Sequence, residues 1–283
     1  MDRRGFLMGA GLGLASQACP AYAQSSSSTP AAAALLSDIT IVSLLPPLPP
    51  DLADKASEPP AMYPEISPVG TAPPSQKEVD IAYELLVNAP INTAPIEIAQ
   101  YFLAIGSGAY GEEHRPFARE WPVRANPLIM HFFSSTQTKP EGDVTAWCAA
   151  FVNWCLLRAH ASEPDEIGYT QGGYIRKGKP FGPENLTRFS TNNASSGSFR
   201  CWDEASSPQR GNIAVFKDAG TDALTKVCRG SGHVAFFVRI PSQGLVQVLG
   251  GNQSLPGSNG AITIANTSTR PGSRFMKYAL LRT

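Results

Sequence analysis

The stretch TAWCAAFVNWCLLRAH, residues 145–160, decides how this chain is read. Apolar side chains fall at 148, 151, 152, 155, 156 and 159, the spacing of a single helix face. Thr145 reads as the N-cap, with Ala146, Trp147 and Cys148 as the first helical residues. Cys148 therefore lies on the buried stripe and also beside unpaired N–H groups, at the positive end of the helix dipole. Burial raises a thiol pKa and a helix N-terminus lowers it, which sets the two cysteines of this face apart. Cys155 lies two turns further on, outside that field. Only Cys148 reads as activated.

The flanking sequence places this helix in an α+β domain. Upstream, Ser75-Gln-Lys-Glu78 forms a capping box, and Val79, Tyr83, Leu86 and Val87 follow at helical spacing. A second helix is expected from Thr93 through Ala104, and Asn126-Pro127 starts a third over LIMHFF. About 45 polar, glycine-rich residues follow Ala161 and read as loops lying over a surface. From Asn212 the period changes to two. IAVFK, HVAFFVRI, LVQVL, AITIA and MKYALLR are five β-rich runs separated by Gly, Pro, Ser and Asn. Helices first and strands afterwards predict an antiparallel sheet packed on the cysteine helix.

The chain has 283 residues, with 23 basic and 23 acidic side chains, and no Lys/Arg block or stripe. That balance argues against nucleic acid as a partner. The N-terminus carries Arg3-Arg4 followed by an apolar, glycine-rich run from Gly5 to Ala15 and by Ala21-Tyr-Ala23. Residues 1–23 therefore resemble a twin-arginine export signal with a peptidase site, and the run is too short to span a bilayer. Ser16-Gln-Ala18 lacks the aliphatic residue of a lipobox, which argues against a lipid anchor on Cys19. The expected location is periplasmic or secreted. Eleven of the 25 prolines lie between Pro30 and Pro74, so residues 24–75 read as an extended tether. Residues 76–120 form a helical N-terminal part, and residues 121–283 hold the cysteine helix and the sheet.

Export leaves Cys148, Cys155, Cys201 and Cys228 in an oxidising compartment. Cys148 and Cys155 stand about 10 Å apart along one helix, at 1.5 Å per residue, too far to bridge. That leaves Cys201–Cys228 as the expected disulfide. The spacing offers no zinc or other metal site, and no motif calls for a cofactor.

A nucleophilic cysteine needs a base, and the base needs a third group to orient it. Of the four histidines, His233 follows Gly230-Ser-Gly232 and opens the most apolar strand, so it is the candidate base. The strand at Leu245–Leu249 runs into Gly250-Gly-Asn-Gln253. A hairpin would return Asn252 to His233, where it is expected to hold the imidazole toward Cys148. Trp147 and Gln253 are the candidates for lining the substrate cleft, and Trp154 is assigned to the core.

Four blocks in order, TAWCAAFVNWCL, PQRGNIAVFK, GHVAFFV and VLGGNQS, resemble the CHAP-like branch of the NlpC-type cysteine peptidases and amidases. The resemblance covers roughly residues 126–282. It implies a papain-like fold with a five- to six-stranded sheet, peptidoglycan as substrate, and Cys148, His233 and Asn252 as the catalytic triad. The chain departs from the family at Asn212, where aspartate is usual, and at Cys201. The expected function is an exported peptidoglycan amidase or stem-peptide endopeptidase. A silent wall-binding module or a cysteine protease acting on proteins are the alternatives. The helices before residue 120 and the tether remain available for a protein partner.

Overall fold

The structure, a computed structural model, describes residues 45–57, 70–169, 173–218, 227–255 and 258–282; the export-signal reading of residues 1–23 lies outside them. Among the described residues no helix is long and apolar enough to cross a membrane. Helix α1 spans Gln76–Val87, α2 Pro95–Ser107, α3 Pro127–Phe132, α4 Cys148–Arg158 and α5 Pro183–Arg188. Strands β1 to β5 span Ile213–Lys217, Gly232–Arg239, Leu245–Leu255, Ser258–Ser268 and Phe275–Ala279.

Local chemistry explains the helix ends. The Ser75 N–H donates to Glu78 at 2.7 Å and the Ser75 hydroxyl accepts from the Glu78 N–H, closing the capping box. Asn126 accepts from the Leu128 N–H at 2.9 Å, with Pro127 as the first residue of α3. At the far end of α4 the fully buried Arg158 donates to the carbonyls of Val87, Ala89, Pro164 and Glu166. One side chain thus satisfies orphan carbonyls from α1 and from the loop after α4.

The five strands form one antiparallel sheet in the order β4-β3-β2-β1-β5. Its two faces follow the period-two pattern. Ile213, Val215, Val234, Phe236 and Leu249 face α4 and share a core with Phe151, Val152 and Cys155. Ala214, Phe216, Ala235, Phe237, Val246 and Val248 form a second cluster on the opposite face. The α+β expectation holds, with five strands.

The N-terminal helices join the same core as α4. Phe102 of α2 makes edge-on ring contacts with Phe132, Phe151 and Trp154. Residues 45–57, inside the stretch read as a tether, are packed as well. Leu48 and Leu52 are buried, Asp51 is ion-paired to Arg124, and the Pro46 carbonyl accepts from Arg119. Prolines block sheet ladders but do not stop an extended segment from laying apolar side chains into a groove. Asn212 accepts from the Gln209 N–H at 2.7 Å, a turn contact that needs an oxygen and not a charge.

Candidate active site

Helix α4 starts at Cys148, two residues later than the sequence pattern suggests. Trp147 is the N-cap, with no side-chain cap of its own, while Thr145 closes a preceding turn onto Gly142. The first intrahelical bond runs from the Phe151 N–H to the Trp147 carbonyl. The N–H groups of the first turn therefore have no helical acceptors, and those of Cys148 and Ala149 lie against the thiol.

Cys148 is buried, 3% exposed, and its thiol lies against the backbone N–H groups of Val234 and Ala149. Burial pushes the thiol up, and those N–H groups pull it down without prevailing. The expectation of a depressed thiol is corrected here, because the closed site costs a thiolate more solvation than the helix end returns. Cys155 is fully buried and pushed up well further by desolvation, against which only its own backbone N–H acts.

His233 is the second residue of β2, one peptide from Val234. Gly232, before it, has φ +154°, and a Cβ there would stand 2.1 Å from the Phe216 carbonyl oxygen. Glycine is what lets the two strands meet at this point. The His233 Nε2 atom is buried without a hydrogen-bond partner among the described residues. Desolvation, aided by the Arg274 guanidinium, lowers its pKa to about 4. Cys148 and His233 line one cavity of about 420 Å³, together with Asn252, Gln253 and Arg274. The resting pair is a neutral thiol and a neutral imidazole.

Asn252 occupies a β-bulge. Gly250 pairs with Thr263 and Gln253 with Ala261, so two β3 residues stand opposite one of β4. Asn252 takes the left-handed conformation at φ +55°, which asparagine tolerates better than most residues. Among the described residues its amide makes no hydrogen bond to His233, although both line the cavity. With both ends satisfied, it donates to Glu120 at 3.1 Å and accepts from the Trp147 N–H at 3.1 Å. The reading of Asn252 as the group that orients the imidazole is thus corrected: the bulge turns the amide toward the start of α4.

Trp147 is likewise corrected from cleft to core. Its ring is fully buried, stacks on Phe132 and lies against Gly251, where a Cβ would come within 2.2 Å of the indole. Gln253 does line the cavity, but its amide donates to the carbonyls of Gly250 and Thr263 and braces the bulge. Trp154 is buried, as expected, with its indole N–H on the Ile167 carbonyl.

Cys201 and Cys228 are bonded, with Cα atoms 5.1 Å apart. The buried Arg200 holds the same loop, donating to the carbonyls of Arg229 at 3.1 Å and Ser231 at 2.8 Å. Sequence reasoning did not find Arg200, since nothing local marks one arginine in a polar loop as a clamp. Glu120 was missed for a similar reason: its partners are 27 and 132 positions away.

The loop entering α4 carries a buried carboxylate, Asp143. Its Oδ2 accepts from the N–H groups of Trp121 at 3.0 Å and Asn126 at 2.9 Å, and its Oδ1 has no partner among the described residues. Desolvation raises its pKa from 3.8 to about 7. A raised carboxyl favours the protonated fold, so its penalty is absent below about pH 4, grows as pH rises, and is complete above about pH 7. Asp143→Asn is expected to raise stability by about 2–4 kcal/mol at pH 8 and to change little at pH 4. Urea unfolding at the two pH values checks this, and an equal shift at both rules out the carboxylate charge as the cause.

Residues 139–252 match the family described as the CHAP domain. No curated protein and no solved structure matches the chain. The matched stretch holds the cysteine helix, the histidine strand and the asparagine bulge on one α+β framework. Residues 139–252 of this chain are accordingly a CHAP domain, of the CHAP/NlpC type with the papain-like fold.

Proposed function

We propose that this chain is an exported thiol hydrolase that cleaves an amide bond in peptidoglycan, with Cys148 as nucleophile and His233 as general base. The CHAP match supports peptidoglycan hydrolase activity of the amidase or peptidase kind. The observation that carries the finer reading is the shared cavity, where the first residue of α4 meets the start of β2.

Because both groups are neutral at rest, attack and proton transfer go together. The thiol proton moves to His233 as sulfur adds to the substrate carbonyl. Negative charge develops on the carbonyl oxygen, and the open N–H groups of the first turn of α4 stabilise it. The imidazolium then protonates the leaving amine as the C–N bond breaks, leaving a thioester on Cys148. Water, deprotonated by His233, adds to the thioester and releases the acid and the thiol.

Digestion of purified peptidoglycan with the mature protein, followed by mass analysis, tests this reading. New free muramyl ends identify an amidase and new stem-peptide termini an endopeptidase. An unchanged fragment pattern, with the protein bound to the wall, would leave only a binding module.

A further inference from the structure

We propose that Glu120, which lies upstream of the CHAP-matched stretch, is a positioning residue of the site: it holds Asn252 and Trp147, and through them the first turn of the cysteine helix. The route begins in the backbone. Arg119 bridges to Ala261, and the Glu120 N–H donates to the Gly260 carbonyl at 2.9 Å. The segment before α3 is thereby pinned to the edge of β4, beside the β3 bulge. Gly260 leaves room for the carboxylate, since a Cβ there would stand 2.2 Å from Glu120 Oε1.

That oxygen accepts twice, from the Trp147 indole N–H at 2.7 Å and from the Asn252 amide at 3.1 Å. Asn252 in turn accepts from the backbone N–H of Trp147. The three residues close a ring that grips Trp147 by its side chain and by its main chain, one residue before Cys148. Two consequences follow. Glu120 is an acceptor only, so it dictates which end of the Asn252 amide faces Trp147. With the Trp147 N–H occupied, the site is left with the N–H groups that begin at Cys148 itself. Burial raises the Glu120 pKa while its Trp147 bond and Arg119 lower it, and the carboxylate stands at the favourable end of the helix dipole.

This inference rests on Cys148 as the nucleophile, so its test reads the thiol separately from turnover. Three single variants, Glu120→Ala, Glu120→Gln and Trp147→Phe, and the double variant of Glu120→Ala with Trp147→Phe are compared with the unaltered protein. The readouts are kcat and KM on peptidoglycan, the pH dependence of Cys148 alkylation by iodoacetamide, and thermal melting. Glu120→Ala is expected to lower kcat by about 10- to 100-fold with KM changed by less than about threefold, and to shift the alkylation profile. Glu120→Gln, whose carbonyl oxygen can accept both bonds, recovers most of the loss. Trp147→Phe keeps an aromatic ring but removes the indole donor and loses kcat, and the double variant loses no more than Glu120→Ala alone.

A folded Glu120→Ala protein with unaltered kcat and alkylation profile overturns the proposal. So does Glu120→Gln as impaired as the alanine variant. If Glu120→Ala fails to fold, Trp147→Phe with unaltered kcat and alkylation overturns it. Failure of the nucleophile assignment looks different: Cys148→Ser then still hydrolyses peptidoglycan, while the Glu120 variants continue to shift alkylation.

Discussion

Cys148→Ser is expected to lower peptidoglycan hydrolysis by at least about four orders of magnitude, the scale on which loss of a nucleophile is felt when it acts as a unit with its base. The exchange is nearly isosteric, and the sulfur sits against the N–H groups of Val234 and Ala149, which a hydroxyl oxygen can also meet. Its melting temperature should therefore stay close to the parent value. Cys155→Ser makes the opposite case. Cys155 is fully buried on the same helix face, so a hydroxyl there costs about 1–3 kcal/mol and leaves turnover nearly intact. Activity and thermal melting of the two variants, measured side by side, separate the roles. Equal loss of activity in a folded Cys155 variant would remove Cys148 from the mechanism.

Removal of the Cys201–Cys228 bond, by serine at both positions, is expected to cost about 3–4 kcal/mol. Its 28-residue loop, counting both ends, sets the chain entropy returned to the unfolded state. Turnover should fall far less than stability. The loop before His233 has independent anchors: the two Arg200 bonds, and Ser195 and Gly197 donating to the Gly230 carbonyl at 2.9 Å each. Chemical denaturation gives the first quantity and kcat on peptidoglycan at 25 °C the second. Collapse of kcat in a variant still folded at that temperature would mean that the covalent bond, and not the arginine clamp, sets the place of His233.

Features encoded within a few residues of each other were legible before any coordinates. The period-two runs of the five strands and the Ser75 capping box depend on local spacing, and each stands in the fold, whereas α4, read as apolar on one face, is buried all round. His233 could be singled out because glycines before an apolar run mark a strand start beside a turn. Cys148 could be singled out because a helix beginning is visible in sequence. The turning of the Asn252 amide toward Glu120 and Trp147 was not legible. A hairpin drawn from sequence assumes an unbroken ladder, and one extra residue in β3 turns the amide away.

By itself, then, the sequence determined the α+β class, the strands, the helix that carries Cys148 and the motif blocks of a CHAP domain. These follow from periodicity and from short motifs, which act over one or two turns or across a single hairpin. Tertiary structure alone decided which side chains share the cavity, that the thiol and imidazole rest neutral, and that Trp147 is core. It also decided that Glu120 meets Trp147 and Asn252, and that Arg200 meets the loop before His233. The physical reason is common to all of these. Desolvation and hydrogen bonding depend on what surrounds an atom, and those surroundings are assembled from segments as distant as Glu120 and Asn252.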